Sequence, residues 1–307
     1  MGYDVIGDIH GQADKLEALL RKLGYLHRAS GWVPPHDRQA VFLGDLIDRG
    51  PDQVKVVNAV RSMIDAGHAR SVMGNHEFNA IGYATPRRDA PGEFLRRHSP
   101  KNLSQHADFL RQVGEGSALH RELVGWFKSL PPMLDLGDIR VVHAWWHQPH
   151  VDLVARRVPS GLALDDDFLH EAYVDGSPEW EAMEGLTKGL EIRLPDGHSF
   201  VDHGGVERRE VRTKWWHEEP RSYRDVAIVG DGQEHRVPDH PLPADYAGAP
   251  VEGSPVFIGH YWMTGHPGLQ SPKVACVDYS AAKDGPLVAY RWDGEQDLDS
   301  RHFVAAR

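Results

Sequence analysis

The sequence Gly-Asp-Ile-His-Gly at residues 7–11 is the first of several short segments that combine glycine with carboxylate, amide or imidazole residues. The others read Gly-Asp-Leu-Ile-Asp-Arg-Gly at 44–50, Gly-Asn-His-Glu at 74–77 and Gly-His at 259–260, and His143 lies before the last of them. Each segment contributes carboxylate, amide or imidazole groups. A donor set of this mixed kind suits two divalent metal ions held side by side.

The segments directly follow short apolar runs that have the character of buried strands. The first three runs lie at 3–6, 40–43 and 71–73, and helical patterns at 16–23 and 54–64 separate them. This alternation predicts an α/β protein with β-α-β units and a largely parallel sheet. Ligands of such sheets bind at the carboxyl ends of the strands, so we expect the segments to meet at one edge.

We predict that two metal ions share the carboxylate of Asp45. Asp8 and His10 are two residues apart in extended backbone, so both can reach the first ion. The second ion takes the remaining donors, which are Asn75, His143 and His260. Nitrogen and oxygen donors without thiolate favour manganese, iron, zinc or nickel over an iron–sulfur cluster or a structural zinc. We expect manganese, with iron, zinc, nickel or magnesium as alternatives.

Two ions about 3.5–4 Å apart polarise a phosphoryl group and share a water molecule. We therefore expect direct attack of a metal-bridging hydroxide on phosphorus, without a phosphoenzyme. His76 directly follows the predicted ligand Asn75, and we predict that it is the general acid for the leaving oxygen. Asp48 is expected to hold the other ring nitrogen of His76. The planar guanidinium of Arg49 is suited to binding phosphate oxygens.

The composition limits the partners of the chain. Its net charge of −11 argues against binding a nucleic-acid polymer or docking on an anionic membrane. No apolar stretch approaches the roughly 18 residues of a membrane span. Cys276 is the single cysteine, which fits a reducing compartment. The strand-like run already begins at Tyr3 and leaves no room for a signal peptide, so we expect a cytoplasmic protein.

Residues 148–254 differ from the rest of the chain. They are rich in Pro, Gly, Asp and Glu and contain few periodic apolar runs. We interpret them as an insertion that roofs the metal edge, within a single domain spanning 1–307. Strands of a second sheet are the alternative.

Three pairs of neighbouring aromatic residues lie near predicted site or roof segments, at 145–146, 215–216 and 261–262. We expect them to pack in the core or in a lid. Stacking on a nucleobase or a phosphotyrosine ring is the alternative.

The motifs GDxHG, GDxxDRG and GNHE, followed by His143 and Gly-His at 259–260, resemble those of the calcineurin-like metallophosphoesterases. The similarity is greatest to their phosphoprotein phosphatase branch, which includes bacterial serine/threonine phosphatases and diadenosine tetraphosphate hydrolases. It extends well over 3–143 and 256–293, and poorly over 148–254. It implies a two-sheet β-sandwich flanked by helices, and it implies the ligand, acid and phosphate-binding roles given above.

The second phosphate-binding arginine of that family has no clear counterpart in this chain. Arg193 and Arg212 are the candidates for substrate binding, and Lys188 is a further one. For each of the three, a solvated surface charge is the alternative.

The predicted activity is hydrolysis of a phosphomonoester, either a phosphoprotein or a small molecule, because Asp48 and Arg49 favour a monoesterase. The enzymatic alternative is hydrolysis of a dinucleoside polyphosphate such as diadenosine tetraphosphate. A catalytically silent metal-binding scaffold is the third hypothesis.

Overall fold

The computed structural model describes residues 1–29, 31–158, 163–201, 205–229 and 233–307. The chain forms a larger compact unit, Met1–Lys188 with Ser254–Arg307, and a smaller one, Gly189–Gly253. All of the motifs that predict the metal site lie in the larger unit.

The elements follow one another along the chain in two series. The strands are β1 (Gly2–Ile6), β2 (Leu26–Arg28), β3 (Gly31–Val33), β4 (Arg38–Phe42), β5 (Ala69–Ser71), β6 (Met133–Asp135), β7 (Arg140–Val142), β8 (Glu191–Arg193), β9 (Phe200–Val201), β10 (Glu207–Arg208), β11 (Glu210–Arg212), β12 (Val256–Ile258), β13 (Val274–Cys276), β14 (Leu287–Trp292) and β15 (Phe303–Ala306). The α-helices are α1 (Ala13–Lys22), α2 (Gln53–Asp65), α3 (Asn75–Ala84), α4 (Pro100–Val113), α5 (Ala118–Lys128), α6 (Gln148–Arg157), α7 (Asp166–Ala172), α8 (Pro178–Lys188) and α9 (Tyr223–Val226).

Two sheets form the centre of the larger unit. The first has five strands in the order β15-β14-β1-β4-β5, in which β1, β4 and β5 run parallel and β14 and β15 are antiparallel. The second has four strands in the order β13-β12-β7-β6, with β12 parallel to both of its neighbours. The parallel part of the first sheet is the part that the sequence pattern predicts.

One apolar core joins the two sheets. Val5 and Val41 of the first sheet and Val141 of the second belong to one cluster of buried side chains. Across this core the rings of Phe257 on β12 and Tyr290 on β14 lie 5.1 Å apart. The two-sheet β-sandwich with helices, which the family resemblance implies, is therefore confirmed.

The helices differ in how well the sequence predicts them. Helix α1 buries Leu16, Leu19 and Leu20 on one face, as the leucine pattern predicts. Helix α3 begins immediately at Asn75 and was not predicted. Seven of its residues are buried, so it lacks the one-sided apolar stripe that identifies a surface helix. Among the described residues, no helix is both long and apolar enough to cross a lipid bilayer.

The smaller unit contains two short antiparallel strand pairs, β8 with β11 and β9 with β10. Ile192, Val211 and Val226 lie in its own small apolar core. The predicted insertion at 148–254 includes this unit and also α6, α7 and α8, which belong to the larger unit. Its role as a roof stays a prediction.

Candidate metal centre and active site

The candidate ligands lie in loops or helix starts that directly follow strands of both sheets. Asp8 and His10 follow β1, Asp45 follows β4, and His143 and His260 follow β7 and β12. Asn75 and His76 lie in the first turn of α3, which is separated from the end of β5 by three residues. The sandwich thus brings donors that are far apart in sequence to the same end of its strands.

Two groups of buried donors share Asp45. One consists of His10, Asp45 and His76, and the other of Asp45, His143 and His260. Within each group one ligand atom per residue lies within 4.8 Å of the others. Two neighbouring donor groups with one common carboxylate are the arrangement that a pair of metal ions requires.

The individual distances agree with metal coordination. Asp45 Oδ2 lies 3.5 Å from Nε2 of His10 and 3.5 Å from Nε2 of His143. Asn75 Oδ1 lies 2.9 Å from Nδ1 of His260 and 3.2 Å from Nε2 of His143. Ligand atoms that are each about 2.0–2.2 Å from one ion are separated by roughly 3 Å or slightly more. A small relaxation would therefore bring these donors to coordination distance.

Backbone carbonyls orient two of the imidazole rings. His10 Nδ1 donates to the Ile47 carbonyl at 2.8 Å, and His143 Nδ1 donates to the Leu43 carbonyl at 2.6 Å. In both rings this leaves Nε2 as the nitrogen that faces Asp45. His10 Nε2 is buried and has no hydrogen-bond partner among the described residues. These observations fit a metal ligand.

The electrostatics of the site point in the same direction. Burial, together with the carboxylates of Asp278 and Asp45, raises the pKa of Asp8 well above its usual value. Burial lowers the pKa of His10 to about 3, so its ring is neutral and available as a ligand. Burial opposes charge on His143, but the carboxylates of Asp45 and Asp8 raise its pKa to about 10. Clustered buried carboxylates of this kind are stabilised by cations.

Asp8 lies outside both groups of three donors. Its carboxylate accepts the backbone N–H of His260 at 3.1 Å. In its place, the first group contains His76, whose Nε2 lies 3.9 Å from Asp45 Oδ2. The assignment of Asp8 to the first ion, and of His76 to proton transfer only, stays a prediction.

A carboxylate between two imidazoles lies beside the metal groups. Asp48 Oδ2 accepts from His76 Nδ1 at 2.5 Å, and Asp48 Oδ1 accepts from His106 Nδ1 at 2.8 Å. Burial would raise the pKa of Asp48, but hydrogen bonds from His106 and His76 lower it to about 2. Burial likewise opposes charge on His76, yet the charge of Asp45 and the bond to Asp48 raise its pKa. Arg49 Nη2 lies 3.4 Å from His76 Nε2.

Sequence reasoning missed His106 and gave no role to Glu77. The Glu77 carboxylate accepts the backbone N–H groups of Asp45 and Leu46 at 2.8 Å and of Gly74 at 3.0 Å, which ties two motif loops together. Its place in the Gly-Asn-His-Glu motif was the sequence signal that could have indicated this role.

His106 lies on the buried face of α4 with Phe109. The only sequence signal for it was a histidine on an otherwise apolar helix face.

The candidates for a second phosphate-binding residue have acidic neighbours within their own units. Arg193 on β8 lies 3.8 Å from Asp196, and Arg212 on β11 lies 3.3 Å from Glu191. Lys188, at the end of α8, pairs with Glu184. Their part in substrate binding stays a prediction.

Backbone strain is concentrated at the site. Non-glycine residues in the left-handed region cost about 1–3 kcal/mol each and cluster at functional sites. The candidate-site residues with positive φ, between 48° and 73°, are His10, Asp45, Asp48, Arg49, His260 and Trp262.

The sandwich and its two donor groups around one carboxylate define the class of two-metal phosphoesterases. The chain belongs to the calcineurin-like phosphoesterase family, which matches residues 1–194. Its members use a dimetal centre, and the chain is accordingly a hydrolase that acts on phosphoesters.

Two bacterial relatives are both named bis(5'-nucleosyl)-tetraphosphatase PrpE [asymmetrical]. The Oceanobacillus iheyensis protein is 43% identical over 219 residues, which cover 67% of this chain and 85% of the relative. The Bacillus velezensis protein is 32% identical over 189 residues, which cover 59% and 72%. A serine/threonine phosphatase structure from Saccharomyces cerevisiae has a TM-score of 0.52 at 16% identity, covering 99% of this chain and 78% of that one. That likeness shows the fold alone.

We predict that Gly259→Ala weakens metal binding without unfolding the protein. A Cβ atom at Gly259 would lie 2.1 Å from Asp8 Oδ1, so the carboxylate must move away. Metal analysis after dialysis against Mn²⁺ should show fewer ions per chain. Gly268→Ala is the matched control, because its nearest neighbouring atom is 4.0 Å away. Equal metal content in both variants would contradict the placement of Asp8.

We also predict that His106→Phe, which keeps a buried ring but removes the donor to Asp48, slows turnover of esters with poor leaving groups about tenfold. p-Nitrophenyl phosphate has a good leaving group and should be affected less. His120→Phe is the control, because His120 on α5 is buried and bonds to the Gly116 N–H instead. The same loss for both substrates would indicate a purely structural effect.

Proposed function

We propose that the protein hydrolyses dinucleoside polyphosphates, with the asymmetrical cleavage of a dinucleoside tetraphosphate into a nucleoside triphosphate and a nucleoside monophosphate. The observation that carries this proposal is the name of a relative that is 43% identical to the chain and is covered over 85% of its length. The two donor groups around Asp45 support the hydrolytic chemistry.

In this proposal two divalent ions, manganese first, are held by the residues predicted from the sequence. The bound ions supply an activated water and neutralise charge on the phosphoryl group. The chain holds them with Asp8, His10, Asp45, Asn75, His143 and His260.

His76 acts as the proton donor to the leaving oxygen. Its Nδ1 is occupied by Asp48, so Nε2 is the atom that gives up the proton. Burial opposes charge on His76, but Asp45 and Asp48 raise its pKa, which favours the protonated form of the ring. Arg49, whose guanidinium lies beside that nitrogen, binds the phosphoryl oxygens.

Hydrolysis of phosphomonoesters is the second candidate. The pairing of His76 with Asp48 favours it, because an alkoxide depends more strongly on a proton when it leaves than a nucleotide phosphate does. In either case we propose a cytoplasmic enzyme. The single, buried Cys276 supports this setting. The net charge of −11 argues against nucleic-acid polymers and anionic membranes as partners.

The test is product analysis with purified, manganese-loaded protein. Chromatography after incubation with diadenosine tetraphosphate should show equal amounts of ATP and AMP, and no ADP. His76→Ala should lower turnover roughly 10²–10⁴-fold while the metal content stays the same. Cleavage of phosphopeptides or p-nitrophenyl phosphate, but not of the tetraphosphate, would support the second candidate. Two bound metals with no hydrolysis of any ester would support the scaffold hypothesis.

A further inference from the structure

The indole ring of Trp262 holds two positive charges next to the candidate active site. Arg49 Cζ lies 4.0 Å from the centroid of this ring, and Lys283 Nζ lies 4.5 Å from the same centroid. Both distances are within the range of an attractive cation–π contact. Because the two cations share one ring, they are close to each other.

Neither cation forms a close ion pair with a described residue, although the carboxylates of Asp45, Asp8 and Asp278 attract Arg49 at longer range. Among the residues that the structure describes, no carboxylate lies within 4.0 Å of the Arg49 guanidinium or of Lys283 Nζ. Several other cations of the larger unit do form ion pairs, such as Lys55 with Glu17 and Lys128 with Asp166. Two like charges held together raise the free energy of the site unless an anion binds between or beside them.

Hydrogen bonds fix the loops that carry Trp262 and Lys283. The buried Asp278 carboxylate accepts the N–H of Trp262 at 2.8 Å and that of Ser280 at 3.0 Å. Lys15 Nζ of α1 donates to the carbonyl of Lys283 at 3.2 Å. It also donates to the carbonyls of Ala281 and Gly285, each at 2.8 Å. The cation pair is therefore built by the fold and does not depend on a free loop.

The pair extends away from the reacting centre. Arg49 lies at the inner end, with Nη2 at 3.4 Å from His76 Nε2. Trp262 is two residues beyond the candidate ligand His260, and Lys283, whose Nζ lies 4.5 Å from the ring centroid, is an exposed residue. An anion that contacts both Arg49 and Lys283 must carry several negative charges spaced along its length, as a chain of phosphoryl groups does.

We propose that Lys283, placed by Trp262, binds the phosphoryl group next to the one that Arg49 holds for attack. This subsite would select phosphoric anhydrides with at least two consecutive phosphoryl groups over simple phosphomonoesters. Lysine suits this role, because its ammonium is a compact charge that binds phosphate without a fixed direction. This inference rests on the proposed function, and it assigns binding of the polyphosphate chain to Lys283 and Trp262.

The test measures the binding of inorganic tripolyphosphate and of orthophosphate by titration calorimetry at a fixed free Mn²⁺ concentration. The unsubstituted protein should bind tripolyphosphate more tightly. Lys283→Ala should weaken tripolyphosphate binding about tenfold more than orthophosphate binding, which is the effect of one charge-assisted hydrogen bond. Lys283→Arg should restore most of the difference. Lys101→Ala removes an equally exposed charge from α4 and should change neither affinity.

Equal effects of Lys283→Ala on both anions, or no effect on either, would overturn the inference. Trp262→Leu provides a second test, because loss of the ring should reduce the preference for tripolyphosphate while Trp262→Tyr keeps it. If the protein binds tripolyphosphate through Lys283 but does not cleave diadenosine tetraphosphate, the proposed function fails and the subsite stands. If it cleaves the tetraphosphate and Lys283→Ala binds both anions normally, the subsite fails and the function stands.

Discussion

The carboxylate of Asp45 is contacted from several directions, and the geometry of the site depends on it. Its Oδ2 faces Nε2 of His10 and of His143, both at 3.5 Å, and its Oδ1 accepts the N–H of His76 at 2.9 Å. The backbone at Asp45 has a φ of 49°, and its own N–H is held by Glu77. Gly74 must be glycine, because a Cβ atom there would lie 2.2 Å from Asp45 Oδ1. Several motif loops are thus packed around one buried carboxylate.

The proton-transfer and substrate groups are arranged around this centre by separate devices. Asp48 orients His76 and is itself held by His106 from α4, so a helix outside the motifs supports the acid. On the other side, Asp278 and Lys15 fix the loops that present Trp262 and Lys283. Both devices use polar groups that each make several hydrogen bonds, which is how folds hold functional side chains within a narrow range of positions.

Local sequence patterns predicted much of this architecture. The strands β1 and β4 and the helix α1 follow from short apolar runs and a leucine stripe, and the motif order predicted that Asp45 and His143 meet. What local patterns lack is information on long-range contacts. Helix α3 is buried on most sides and shows no stripe, and the bond between His106 and Asp48 joins residues 58 positions apart. The smaller unit has a core of few residues, such as Val211 and Val226, spread over short strands and a short helix, so its sequence resembled a loop.

The central claim is that one carboxylate serves two metal ions at once. The most direct measurement is the number of Mn²⁺ ions bound per chain, by equilibrium titration, in the unsubstituted protein and in Asp45→Asn, with thermal unfolding as a check on the fold. We expect two ions in the unsubstituted protein. We expect Asp45→Asn to fold but to lose both ions together, because each group of donors contains Asp45. Retention of one ion at unchanged affinity in Asp45→Asn would contradict the central claim.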